Sequence, residues 1–509
     1  MENQWSSVVN GTDIRGIVIK NDTRDINLTE DMVGKISKAF LLFLSQKKNK
    51  ELKDLKISIG MDSRISNESF KKIFIEETIS LGCTIYDCGL CSTPSMFMST
   101  LLEEYEIDGA VEITASHLPY YYNGFKFFTN SGGIDSSDLI DIVNIAQRKI
   151  DITSKHIGKK LYIGLIDIYS KFLVDKIISE VNSKDDTLKP LKGFKIIVDA
   201  GNGVGGFYEK KILKKLGADT TGSQFLEPDG NFPNHIPNPE NAEAMLSLKQ
   251  AVLKNKSDLG IIFDTDVDRV AIVDSNGREI NRNLLIALMS AIILEEHPNS
   301  TIVTDSVTSN GLKTFIESHG GIHKRFKRGY KNVINEAIRC NENGSPCYLA
   351  METSGHAALK ENYFLDDGAY LVTKIIIKMA KLRNESGAYI SDLIKDLNTP
   401  FDSKEYRLTI NSTNLKDYWQ YVENNIEKYL IKKNGWLIDK NNYEGIRINC
   451  DNRNGNGWFL LRPSLHEPLF VLNIESDSQD GIKYISKNIY EILKYYPDID
   501  ANTLYQEDV

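Results

Sequence analysis

Four short segments carry residue types that could do chemistry. In GAVEITASHLPYYYNGFKFF (109–128) an apolar run delivers Thr114, Ala115, Ser116 and His117 into a turn marked by Pro119 and Asn123-Gly124. A serine there is expected to be exposed at the C-terminal end of a strand, where α/β folds place ligands. His117 adjoins it, and Lys126 is close enough through the loop to serve as a charge or base. A Ser–His pair alone is weak evidence for a nucleophile, because adjacent side chains rarely hydrogen-bond well. In LGIIFDTDVDRVAIVD (259–274), Asp264, Asp266 and Asp268 alternate directly after an apolar strand, with Arg269 following. Carboxylates this close repel one another, and a cation relieves the repulsion. Oxygen-only ligation suits a hard ion, and Mg²⁺ with open positions for a phosphate oxygen fits best. An EF-hand is excluded: Arg269 stands where glycine is required, and Ser275 where the bidentate glutamate belongs.

The other two segments offer recognition rather than reaction. YLAMETSGHAALKENYFLDDGAY (348–370) ends a strand in Glu352-Thr353-Ser354-Gly355-His356. That set of carboxylate, hydroxyl and imidazole suits hydrogen bonds to vicinal sugar hydroxyls. In GWFLLRPSLHEPLFVLNIES (457–476), Arg462, Ser464 and His466 are expected on one loop between two strands. An arginine fork with a serine hydroxyl and loop N–H groups would cradle phosphate. DAGNGVGGFYEKK (199–211) imitates a dinucleotide turn, but its glycines do not space as G-x-G-x-x-G, so a tight strand–helix turn is the better reading.

The elements that must position these residues alternate regularly. Strand-like KISIGMD (56–62), TIYDCG and GAVEIT (109–114) flank helical ESFKKIFIEETISLG. The rhythm returns in FKIIVDA (194–200) and SDLGIIFD (257–264), then in STIVTD (300–305) and PCYLAME (346–352). Such alternation indicates α/β units with mainly parallel sheets. After Pro400 come EYRLTI, GIRINC, GWFLLR and LFVLNIE with two helices, around 414–431 and 478–494, a smaller α+β domain. The plan is three similar mixed α/β domains plus a C-terminal α+β domain, with boundaries near 157, 280 and 400.

The 509 residues suffice for three to four domains. With 61 Lys plus Arg against 70 Asp plus Glu, the net charge is −9, so a general nucleic-acid footprint is absent. The longest apolar run, 284–294, is too short to span a bilayer. The start, MENQWSSVVN, lacks the basic and apolar regions of a secretory signal, so a soluble cytoplasmic protein is expected. Cys83, Cys88 and Cys91 have an iron–sulfur spacing, but the fourth thiolate is far along the chain, and small buried thiols are the better reading.

Together the four segments resemble the α-D-phosphohexomutase superfamily, the phosphoglucomutase and phosphomannomutase enzymes. TASHLPYYYNGFKFF is similar to its phosphoserine loop, DTDVDR to its metal loop, ETSGH to its sugar loop and RPSLHEP to its phosphate loop, in the family's order. GTDIRG, GMDSRISNE, DAGNGVGG, PDGNFPNHIPNPE, RGYKNV and EGIRI add to the resemblance. It implies four domains around a central cleft: 1–157 with the phosphoserine loop, 158–280 with the metal loop, 281–400 for sugar recognition and 401–509 for phosphate. It implies Ser116 as phosphoserine and Asp264, Asp266 and Asp268 on Mg²⁺, with the seryl phosphate as a further ligand. Arg269 would neutralise and steady the metal loop, and Arg15, His117 and Lys126 would surround the transferring group, with Lys126 or His117 as proton carrier. Glu352, Ser354 and His356 would face the sugar, and Arg462, Ser464 and His466 the idle phosphate. Tyr330 and Lys331 match a loop that closes on the ligand. The implied activity interconverts hexose 1- and 6-phosphates of glucose or mannose, with the hexose 1,6-bisphosphate as activator. The implied partner is a small sugar phosphate, and the implied assembly a monomer or homodimer. The alternatives are a phosphoglucosamine or N-acetylhexosamine phosphate mutase, a haloacid-dehalogenase-type phosphatase with Asp264 as nucleophile, and a silent sugar-phosphate-binding protein. Leu118 stands where the family has asparagine, and Thr265 and Val267 where its metal loop has glycines.

Overall fold

The computed structural model describes residues 2–22, 24–183, 186–411, 414–430, 432–464 and 468–505. They form two compact units, residues 1–285 with 354–393 and residues 286–353 with 394–509. No described helix is long and apolar enough to cross a membrane. All six cysteines are buried, and none forms a disulfide.

In the first unit, the strand Gly109–Ile113 is buried at every position, Glu112 included, as a strand covered on both faces must be. Lys56–Met61 pairs with it in parallel and Tyr122–Thr129 antiparallel. Thr84–Leu90 and then Lys159–Tyr162 extend the parallel side, and Asp13–Ile17 the antiparallel side. The sheet is thus mixed rather than mainly parallel, because the chain turns back after Ser116 as a hairpin. Helices Glu30–Lys48, Asn67–Ser80 and Ser136–Ala146 supply Phe40, Phe74 and Leu139 to a core shared with Phe125 and Phe127 of the sheet. Each such buried phenylalanine contributes about 1.5–3 kcal/mol. The Glu30–Lys48 helix starts where Thr29 accepts from the Met32 N–H, with acids in its first turn and lysines in its last.

The same unit holds a second sheet. Leu259–Phe263 runs parallel to Ile196–Asp199 and antiparallel to Val270–Asp274. The acidic segment 264–269 is therefore the loop of a hairpin, closed where the Asp264 N–H donates to the Arg269 carbonyl at 3.3 Å. Every residue of it is buried. The glycine-rich turn after Ile196–Asp199 packs directly beneath. A β-carbon at Gly203 would lie 2.6 Å from the Thr265 carbonyl oxygen, so this position needs glycine for close backbone approach.

The second unit contains parallel strands Ile322–Phe326, Thr301–Asp305 and Cys347–Met351 with helices Asn310–Ser318 and Tyr330–Glu342. Its C-terminal part is an antiparallel sheet in the order Asp402–Thr409, Leu469–Ser476, Gly457–Pro463, Ile446–Cys450, Trp436–Ile438. Helices Leu415–Leu430 and Gly481–Leu493 bury Val422, Ile426, Ile485 and Ile489 in the same core. The strand Trp436–Ile438 has only three residues, too short for an alternation to show in sequence.

Gly203→Ala should force the backbone under the acidic loop to shift and cost about 1–3 kcal/mol, as overpacking typically does. A urea titration checks this; an unchanged midpoint would show that the turn has room to spare.

Candidate active site

Ser116 follows the strand Gly109–Ile113 by a Thr-Ala step and takes a left-handed backbone, φ 50°. A non-glycine residue there costs of order 1–3 kcal/mol and persists only where its surroundings hold it. The serine is fully buried, contrary to the exposure expected from its place at a strand end, because loops 62–64 and 264–269 close over it. Its hydroxyl donates to Asp264 Oδ2 at 3.1 Å and lies 3.3 Å from His117 Nδ1. The adjacent Ser–His pair does meet here; the left-handed backbone changes the angle between successive side chains. Arg269 Nη2 donates to His117 Nδ1 at 2.8 Å, so that nitrogen is the acceptor. Burial first, then Arg269 and Arg15, hold the imidazole well below its ordinary value, and it is neutral.

Asp264, Asp266 and Asp268 are fully buried, with carboxylate oxygens all within 4.8 Å of one another. Burial and its two neighbours push the Asp264 carboxyl far up. Burial acts the same way on Asp268, but Lys126, His356 and Arg269 outweigh it and hold that group far down. Lys126, the cross-strand partner of Glu112, reaches Asp268 in direct contact and Asp266 at 3.3 Å. Arg269 Nε lies 3.7 Å from Asp264 and 3.9 Å from Asp268. Arg15 is steadied by Asp13 at 2.7 Å. Asp266 Oδ1 and Asp268 Oδ1 are buried with no hydrogen-bond partner among the described residues. Orphaned anionic oxygens converging without nitrogen or sulfur fit a hard divalent cation.

Three contributors escaped sequence reasoning. Thr93 donates its hydroxyl to Asp266 Oδ2 at 2.6 Å and its N–H to the Asp266 carbonyl at 2.9 Å. Asp366 lies 2.6 Å from His356 Nδ1. Arg64 donates to the Ser116 carbonyl. Only the DD pair after NYFL gave any local hint. His356 itself, grouped in sequence with Glu352, belongs to the first unit: it bridges Arg269 through the backbone and lies 3.9 Å from Asp268. Ser354 is also in that unit.

The second unit holds Glu352 and Arg462. Glu352 accepts from the Gly329 N–H at 2.7 Å, just before Tyr330 and Lys331 open the helix Tyr330–Glu342. Glu444 accepts from the Arg328 N–H at 3.2 Å and lies 3.9 Å from Arg462 Nε. Arg462 is buried inside the strand Gly457–Pro463, not on the following loop as expected; only Ser464 has left the strand. His466 lies outside the described residues. Burial, against Arg328 and with Glu352, raises the Asp305 carboxyl to about 7, while its Oδ2 accepts from Thr353 Oγ1 at 2.7 Å.

Residues 7–151, 171–277 and 281–401 match, in turn, the models for phosphoglucomutase/phosphomannomutase alpha/beta/alpha domains I, II and III. A phosphomannomutase of Methanocaldococcus jannaschii is 31% identical over 466 residues, 89% of this chain and 92% of the relative. The chain belongs to the phosphoglucomutase/phosphomannomutase family. Another family relative, the phosphomannomutase/phosphoglucomutase of Pseudomonas syringae pv. tomato, is 28% identical over 87% of this chain and 88% of its own. The fold is shared with a crystal structure of a family protein from Burkholderia thailandensis, at TM-score 0.76 and 24% identity over 96% of this chain and 97% of that one. Membership of the α-D-phosphohexomutase superfamily accounts for the four segments occurring in one chain.

Adding Mg²⁺ or Mn²⁺ should raise the melting temperature, since a ligand at a hundred times its Kd stabilises by about 2.7 kcal/mol. Asp266→Asn should shift the metal titration to at least about tenfold higher concentration by removing one of three anionic ligands. A titration identical in the variant and the parent would place the cation elsewhere.

Proposed function

We propose that the chain is a phosphohexomutase interconverting hexose 1-phosphate and hexose 6-phosphate through a phosphoserine at Ser116 and a hexose bisphosphate. What carries the reading is the Ser116 hydroxyl hydrogen-bonded, at 3.1 Å, into a buried cluster of three carboxylates and two cations. Ordinary buried serines do not need Lys126 and Arg269 beside them. The names of the relatives from M. jannaschii and P. syringae support glucose and mannose phosphates as the substrates.

Asp264, Asp266 and Asp268 would hold Mg²⁺, which when bound supplies positive charge next to the transferring phosphoryl group. A seryl phosphate carries about −1.5 to −2 charge, so the cluster accepts it only with such a counter-charge. Arg269 Nη2 lies 3.5 Å from the Ser116 hydroxyl, and Arg269 with Arg15 would stabilise charge on the equatorial oxygens. In one half-reaction the phosphorus leaves Ser116 Oγ and bonds a free sugar hydroxyl, which loses its proton; the seryl oxygen regains one. In the other, Ser116 Oγ bonds the second phosphorus of the bisphosphate and loses its proton, while the bond from that phosphorus to the sugar oxygen breaks and the sugar oxygen takes up a proton, leaving the isomeric monophosphate. Asp264 Oδ2 at 3.1 Å and His117 Nδ1 at 3.3 Å are both within reach of the hydroxyl to receive the seryl proton. Of the two proton carriers expected from sequence, His117 reaches the Ser116 hydroxyl directly, whereas Lys126 pairs with Asp266 and Asp268. Glu352 would accept from sugar hydroxyls, and Arg462 with Ser464 would hold the phosphate that is not reacting. The bisphosphate, once lost, leaves an enzyme without phosphate, so added hexose 1,6-bisphosphate should restore activity.

A coupled assay with glucose 1-phosphate and mannose 1-phosphate, Mg²⁺ and catalytic bisphosphate tests the reading. Ser116→Ala should lose at least about 10³-fold in kcat; activity within tenfold of the parent would remove the nucleophile. Arg462→Ala should lose a charge-assisted contact and about one to two decades in kcat/KM for the 1- and 6-phosphates alike. A loss confined to one isomer would contradict a shared holding site.

A further inference from the structure

Arg64 lies between the strand Lys56–Met61 and the helix Asn67–Ser80, and its side chain is fully buried. Every N–H of its guanidinium is engaged. Nε donates to Asp62 Oδ2 at 3.2 Å. Nη1 donates to the carbonyls of Pro119 at 2.8 Å and Tyr122 at 2.9 Å. Nη2 donates to the carbonyls of Leu118 at 2.6 Å and of Ser116 itself. Four of the five bonds thus fall on the backbone of one turn, Ser116 to Tyr122. The ring of Phe232, from the loop 228–240, covers the guanidinium at 5.4 Å.

Asp62 closes the arrangement from the other side. Its Oδ1 accepts from the Arg64 N–H at 2.9 Å and from Asn67 Nδ2 at 2.7 Å. Its Oδ2 accepts from the Thr114 hydroxyl at 2.8 Å, and that hydroxyl accepts from the Ser116 N–H at 2.8 Å. The N–H of Ser116 is therefore tied to Asp62 through Thr114, and its carbonyl is tied to Arg64. These are the two backbone groups that flank the left-handed φ of 50°.

We infer that Arg64 and Asp62 form a clamp that positions the Ser116 nucleophile by gripping its backbone while leaving Oγ free for phosphate. The inference rests on the mutase reading above. Among the described residues Arg64 donates to neither the Ser116 hydroxyl nor the acidic loop, so it is a positioning residue. Its planar fork matters more than its charge: lysine has three donors on one atom and cannot span four carbonyls. A nucleophile displaced by about 1 Å loses on the order of 10²-fold in rate while substrate binding elsewhere is untouched.

The test compares Arg64→Lys, Thr114→Val and Thr114→Ser in the full chain. It reads kcat and KM for glucose 1-phosphate separately, and single-turnover phosphorylation of Ser116 by glucose 1,6-bisphosphate. Arg64→Lys and Thr114→Val should lower kcat and the phosphorylation rate by about ten- to a hundredfold with KM within about twofold. Thr114→Ser, which keeps the hydroxyl, should return to within about threefold of the parent. Folded Arg64→Lys with parental kcat overturns the clamp, as does a kcat loss matched only by the unfolded fraction in circular dichroism. If Arg64→Lys does not fold, Thr114→Val against Thr114→Ser decides alone. A parent chain that takes no phosphate at Ser116 would instead overturn the mutase reading.

Discussion

The structure depends on balancing negative charge that has been removed from water. Asp264, Asp266 and Asp268 sit fully buried at the end of a hairpin, where isolated carboxylates would each cost several kcal/mol. Lys126 and Arg269 offset part of that cost, while burial and its two acidic neighbours push the Asp264 carboxyl up. The unpartnered oxygens of Asp266 and Asp268 show where the balance is incomplete. On the mutase reading proposed above, a divalent cation and a seryl phosphate would complete it together, which would account for serine and acidic loop being built as one cluster.

Much of the first unit serves to hold that cluster rigid. Thr93 opens the helix Thr93–Ser99, itself fixed by a Ser92–Ser95 capping box, and pins Asp266 by side chain and backbone. Gly203 lets the glycine-rich turn touch Thr265. His356 is held by Asp366 and pairs through its backbone with Arg269. In the second unit, Glu444 plays the comparable part for Arg462 and the turn at Arg328. Charged side chains are thus placed by neighbours that are themselves hydrogen-bonded, a precondition for electrostatic catalysis without reorganisation.

What could be read in advance was what is local. Asp264, Asp266 and Asp268 alternate immediately after an apolar strand, and Ser116 ends another, so their types and spacing were visible directly. Strand–helix alternation and most strands of the C-terminal α+β domain follow from hydrophobic periodicity, which is also local. Contacts between distant segments were not legible. Thr93 with Asp266, Asp366 with Asp268 and His356, and Arg64 with the Ser116 turn each need the fold before they exist. The burial of Ser116 was hidden for the same reason, since residues 62–64 and 264–269 cover it. Arg462 was placed on the loop because Pro463 directly after it reads as a break, whereas the strand runs through that proline.

Phosphorus NMR of the purified chain tests the shared charge balance most directly. After incubation with glucose 1,6-bisphosphate and removal of small molecules, the spectrum is recorded before and after substoichiometric Mn²⁺. The account predicts one acid-stable phosphoserine resonance that the paramagnetic ion broadens beyond detection, because phosphate and metal share a contact. A sharp phosphoserine signal that persists unchanged with Mn²⁺ bound would contradict it.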